Sequence, residues 1–189
     1  GDDQLAGYHT YIDNDGERRF EFTKKLHRRF PENFGIGVNH VTERMPDVIA
    51  VGRQFFEGVN YRGIGNLEFK YDARHDAWKI IECNPRFTAI QELILRSGLD
   101  TGSLVYAEAT GGTVTLPDRF REQLQLIHIK KDFQAYRALS RQGRLSFGQW
   151  IASVPIAHVR PYFSWSDPKP GTHRFMKNMG KFFQRRVSK

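Results

Sequence analysis

Two short runs of alternating polar and apolar residues, Asn66 to Asp72 (NLEFKYD) and Trp78 to Asn84 (WKIIECN), flank the five-residue stretch ARHDA. That layout predicts a β-hairpin. Loop length sets the register of a hairpin, and here it places Asn66 opposite Asn84 and Glu68 opposite Glu82. Side chains two apart in a strand share a face. One face is therefore expected to hold Asn66, Glu68, Lys70 and Asp72 with Trp78, Ile80, Glu82 and Asn84, and the other, apolar face Leu67, Phe69 and Tyr71 with Lys79, Ile81 and Cys83. Two carboxylates directly opposed across a ladder repel each other unless something neutralises them. Glu68, Glu82 and Asn84 all offer oxygen, the donor preferred by Mg²⁺, which keeps several waters and is commonly held by one or two carboxylates plus substrate phosphates. Arg86 follows two residues after Asn84, where its planar fork of donors suits a phosphate oxygen. The alternative is a solvated polar face on which Lys70 balances the two acids.

The rest of the chain supplies a sheet for that hairpin to join. Gln4 to Ile12 and Arg19 to Leu26 surround Asp13-Asn14-Asp15-Gly16 and read as a second hairpin. Val38 to Met45 reads as a strand ended by Pro46. Asp47 is the expected cap of a helix whose apolar positions are Val48, Val51, Phe55 and Val59. A helix over 89–96 stopped by Gly98, a helix capped by Asp100 that ends at Gly111-Gly112, a strand over 124–129 and helices over 132–141 and 147–154 complete the order. Strands suited to antiparallel pairing with helices interspersed predict an α+β fold, an antiparallel β-sheet flanked by helices.

Composition excludes several classes. With 189 residues, 39% hydrophobic and 13% aromatic, the chain can build a core and is not a disordered segment. No apolar run approaches the roughly 18 to 20 residues of a membrane-spanning helix, and the first residues lack a signal-peptide layout, so a soluble, cytoplasmic protein is expected. The single Cys83 rules out an intramolecular disulfide; strand alternation assigns it to the core. The seven histidines show no metal-ligand spacing, and Gly63-Ile64-Gly65 precedes a strand, where a dinucleotide fingerprint follows one. The net charge of +8, from 29 Lys and Arg against 21 Asp and Glu, is concentrated in the last 21 residues, which hold seven basic residues and no acid. The nearly neutral remainder does not call for nucleic acid. Phe175, Met179, Phe182 and Phe183 recur at helical spacing between basic residues, the pattern of an amphipathic helix that docks on the body or on an anionic membrane surface or acidic partner.

The string GIGNLEFKYD followed by WKIIECNPR resembles the metal-binding hairpin of the ATP-grasp superfamily, a strand bearing Glu and then a strand reading acid-x-Asn-x-Arg. The opening GDDQLAGYHTYIDNDG with FEFTKKLHRRFPENFGIGV, and residues 124 to 170, resemble the predicted carboxylate–amine ligases of that superfamily. By this resemblance Glu68, Glu82 and Asn84 are Mg²⁺ (or Mn²⁺) ligands, with Glu82 bridging two ions. Arg86 contacts phosphate or an acyl phosphate, and Lys25 and Arg28 face the phosphates of ATP. The implied activity is ATP-dependent ligation of a small carboxylate to an amine through an acyl phosphate. The implied organisation is an ATP-grasp C-terminal subdomain over 1–115, a family-specific extension over 116–170 and a basic helical tail over 171–189. The N-terminal ATP-grasp portion that holds adenine has no counterpart here, which makes this half of a nucleotide cleft. A second reading, from a different class, is a non-catalytic module that binds a membrane or acidic partner through residues 172–189.

Overall fold

The structure, a computed structural model, describes residues 4–32, 35–155, 159–161, 168–169, 172–173 and 176. Six strands form one sheet: β1 (Leu5–Ile12), β2 (Arg18–Phe30), β3 (Ile36–Thr42), β4 (Gly63–Asp72), β5 (Ala77–Asn84) and β6 (Gln125–Ile127). Their spatial order is β5-β4-β1-β2-β3-β6, and every neighbouring pair is antiparallel. The helices are α1 (Pro46–Gly58), α2 (Gln91–Arg96), α3 (Thr101–Ala109), α4 (Ile129–Arg141) and α5 (Phe147–Ala152). The architecture is the expected α+β one. Residues after 115 are part of the same sheet, because β6 pairs with β3.

Helix α1 covers one face of the sheet, burying Val48 and Phe56 against Ala6, Tyr8, Leu67 and Phe69. Full burial of side chains of this size contributes about 1.5–3 kcal/mol each. The buried stripe is Val48, Ile49, Gly52 and Phe56, whereas Val59 is exposed. The stripe differs from the expected one because its middle is a glycine: a Cβ at Gly52 would sit 2.6 Å from Tyr8 Cδ1, a contact that no count of apolar residues reveals. Pro46 occupies the first turn and Met45 the cap position, with no side-chain cap bond, so Asp47 is not the cap. Its carboxylate in the first turn still complements the helix dipole. Asp100 does cap α3, accepting from Ser103 N at 3.0 Å.

On the opposite face α2 and α3 pack on Phe20, Phe22 and Leu126 through Leu93, Ile94 and Leu104. Helix α4 lies against β2 and β3, and α5 stacks on it through Trp150, whose ring centroid is 5.1 Å from that of Tyr136. Ser146 and Gln149 form a reciprocal capping box that starts α5. No described helix is long and apolar enough to cross a membrane.

Candidate active site

Strands β4 and β5 pair with Asn66 opposite Asn84 and Glu68 opposite Glu82, the expected pairs, although next to the loop Asp72 faces Ala77 and Tyr71 faces Trp78, one residue off the expected register. Immediately beyond Glu68 the register slips by one, so that Phe69 faces Ile80 and Ile81 has no partner. This bulge corrects the expected faces. Ile80 and Trp78 pack with the core, with Trp78 at 5.3 Å from Tyr71, ring to ring, and Ile81 is 56% exposed. Cys83 shares a face with Leu67 but is exposed, not a core thiol, because β5 is the sheet edge.

Reading across the strands at the level of Glu68 gives a row: Thr42 on β3, Lys24 on β2, Gly7 on β1, Glu68 on β4 and Glu82 on β5. Lys24 Nζ donates to both Glu68 carboxylate oxygens at 3.2 Å, passing over Gly7. The ammonium is buried, its side chain only 4% exposed, while that of Glu68 is 29% exposed. Glu82 is exposed, and so is Arg86, whose Nη1 donates to the carbonyl of Phe87 at 3.2 Å. One row down, Asn84 Nδ2 donates to Asn66 Oδ1 at 3.4 Å and Asn66 Nδ2 donates to Tyr8 O at 3.1 Å. The same amide lies 3.1 Å from His9 Nε2, which accepts from it. His9 and His40 are both held well below the ordinary imidazole value, chiefly by burial and then by the positive charge of Lys24.

Lys25 and Arg28 are not brought to this row. Lys25 alternates with Lys24 and so lies on the opposite face. At His27 a bulge shifts the register, pairing Leu26 with His40 and Arg28 with Asn39, which turns Arg28 to that same opposite face. There its guanidinium makes a bidentate pair with Asp132 of α4, Nε to Oδ1 at 2.7 Å and Nη2 to Oδ2 at 3.1 Å, and Nη1 donates to Ser153 Oγ at 2.8 Å. Trp150 Nε1 donates to Asp132 Oδ2 at 2.8 Å. Through these contacts Arg28 anchors α4 and α5 to the sheet. The basic residue that contacts Glu68 is Lys24, missed because its role depends on β1 lying between β2 and β4. A small residue, Gly7, among large ones was the available signal.

The donor set fits a hard cation. Among the described residues no three His, Cys, Asp or Glu side chains cluster as a metal cage. Two opposed carboxylates with an amide oxygen nearby instead match the mode in which Mg²⁺ takes few protein ligands and completes its shell with water and phosphate. Two described clefts lie elsewhere, about 410 Å³ beside Gly16, Tyr61 and Arg62 and about 240 Å³ beside Arg44, Arg53 and Pro117. Neither includes Glu68 or Glu82, and the chemistry of the residues favours the row over either hollow. Most of the basic tail, including Phe175, Met179, Phe182 and Phe183, lies outside the described residues.

No protein-family model matches the chain, and no curated protein does. Solved structures do. Pyruvate carboxylase from Rhizobium etli, crystallised with acetyl coenzyme A, superposes with a TM-score of 0.52 at 16% identity over 64% of this chain and 12% of that one. The ATPase subunit of phosphoribosylaminoimidazole carboxylase from Aquifex aeolicus gives 0.51 at 11% identity over 65% of this chain and 36% of its own. Biotin carboxylase from Campylobacter jejuni, in complex with β,γ-ATP, gives 0.50 at 14% identity over 66% and 29%. Over about two thirds of the chain the fold is that of part of these carboxylases, consistent with an ATP-grasp fold. At such identities the likeness is one of fold, and the chain spans only 12 to 36% of the length of these proteins.

Proposed function

We propose that this chain is the metal- and phosphate-binding half of an ATP- and Mg²⁺-dependent ligase that joins a carboxylate to an amine. The observation that carries this reading is the pair Glu68 and Glu82, directly opposed on an ATP-grasp sheet with Asn84 and Arg86 following on the same strand end. Glu68, Glu82 and Asn84 would hold Mg²⁺ or Mn²⁺, which supplies neutralisation and orientation of the nucleotide phosphates. In the reaction the γ-phosphoryl group passes from ATP to a carboxylate oxygen and ADP departs. The amine nitrogen then attacks the acyl carbon, loses a proton, and inorganic phosphate leaves.

The first step brings two anions together and the second builds negative charge on the acyl oxygen and the departing phosphate, so fixed positive charge on this face lowers both barriers. The exposed guanidinium of Arg86 would meet phosphate oxygens bidentately. Asn66, itself donating to His9 and to the carbonyl of Tyr8, accepts from the amide of Asn84 and fixes it. Adenine would be held by a separate ATP-grasp portion, and the partners are ATP, a small carboxylate and an amine. An ATP-consuming reaction and one unpaired cysteine suit the cytoplasm. The test is phosphate release from Mg-ATP across a panel of carboxylates and amines by the protein carrying this chain. Glu82→Gln is expected to abolish release while circular dichroism and melting temperature stay at wild-type values. Wild-type release in the variant would overturn the assignment.

A further inference from the structure

The row that holds the two carboxylates contains its own cation. Lys24 reaches 3.2 Å from both oxygens of Glu68, and it can do so only because residue 7 has no side chain: a Cβ there would lie 2.7 Å from Lys24 Cε and 2.9 Å from Nζ. Leu26 and Leu5 beside it are buried, and the flanking imidazoles of His9 and His40 are neutral, so Glu68 is the group that balances this ammonium among the described residues. An ammonium and a divalent cation on the same two oxygens repel each other at short range. One of them must yield.

We propose that Lys24 is a built-in competitor of the divalent cation at Glu68, so that the site takes metal poorly as a free ion and well as a metal–nucleotide complex. The nucleotide contributes the missing element, since its phosphates provide a new anion for the ammonium that the metal displaces. The inference rests on the reading of Glu68 and Glu82 as metal ligands. It assigns Lys24 to positioning and Gly7 to clearing its path.

The experiment is titration of the 189-residue chain with Mn²⁺ alone, bound ion being read by electron paramagnetic resonance, for wild type, Lys24→Met, Lys25→Met, Gly7→Ala and Glu82→Gln. Lys24→Met should tighten Mn²⁺ by about tenfold, the scale expected when a unit charge is removed beside a half-exposed carboxylate. Lys25→Met, which removes the same charge from the opposite face, should change affinity by less than about twofold. Gly7→Ala keeps the charge but blocks its path, and should also tighten binding. Circular dichroism verifies the fold of each variant. Unchanged or weaker binding in Lys24→Met, or an equal gain in Lys25→Met, overturns the proposal while loss of binding in Glu82→Gln leaves the metal reading standing. Binding indifferent to Glu82→Gln, or absent in wild type and Lys24→Met alike, overturns both.

Discussion

Replacing Asp132 with alanine separates a structural anchor from a phosphate ligand at Arg28. Asp132 is fully buried and accepts three hydrogen bonds, two from Arg28 and one from Trp150. Its loss leaves a guanidinium whose side chain is 8% exposed with Ser153 as its remaining partner, and leaves the indole N–H unpaired. Removing one member of a buried ion pair costs about 3–5 kcal/mol, mostly for the charge left behind. In a chain of this size that corresponds to a fall in melting temperature of about 6–20 °C. The assay is urea unfolding followed by far-ultraviolet circular dichroism and tryptophan fluorescence. The double variant Arg28→Met with Asp132→Leu removes both charges and should recover to within about 1–2 kcal/mol of wild type. A cost below about 1 kcal/mol for Asp132→Ala, the range of exposed pairs, would refute the anchoring role. So would an Arg28→Met variant of wild-type stability with weakened nucleotide binding.

Two further outcomes follow from packing and titration. Gly65→Ala places a Cβ 2.5 Å from Phe56 Cζ in the core under α1 and should destabilise by about 1–3 kcal/mol in the same unfolding assay, whereas Gly58→Ala meets nothing within 4 Å and should be neutral or stabilising by up to about 1 kcal/mol. His9 and His40 have folded values depressed below the ordinary 6.5, so the unfolded chain binds more protons there. Stability should be level above neutrality and fall as pH drops through 6.5 towards the lower folded values, each histidine contributing at most about 1.4 kcal/mol per pH unit; a melting temperature flat from pH 7 to 5 would contradict this.

The hairpin of β4 and β5 was legible in its alternating residues, although Glu68 meets Glu82 only because the bulge at Ile81 offsets a loop one residue shorter than read, with Asp72 opposite Ala77. The bulges at Ile81 and His27 were not, since an inserted residue leaves composition and alternation nearly unchanged while turning the following side chains over. For that reason Ile80 was assigned to the wrong face. Arg28 also needed a partner 104 residues away, in a helix whose docking on β2 no nearby residue announces. The α1 stripe was displaced because Gly52 contributes by being small beneath Tyr8. Lys24 escaped notice because its contact with Glu68 crosses an intervening strand, and the strand order β4-β1-β2 is a property of the whole sheet.

The central claim is that Glu68 and Glu82 together hold a divalent cation at the phosphate end of a nucleotide site. Crystals of the chain grown with Mn²⁺ and a non-hydrolysable ATP analogue, measured at the manganese absorption edge, test it directly. An anomalous peak should lie between the two carboxylates with Lys24 Nζ withdrawn from Glu68. A peak elsewhere, with the Lys24–Glu68 pair still at 3.2 Å, would contradict the account.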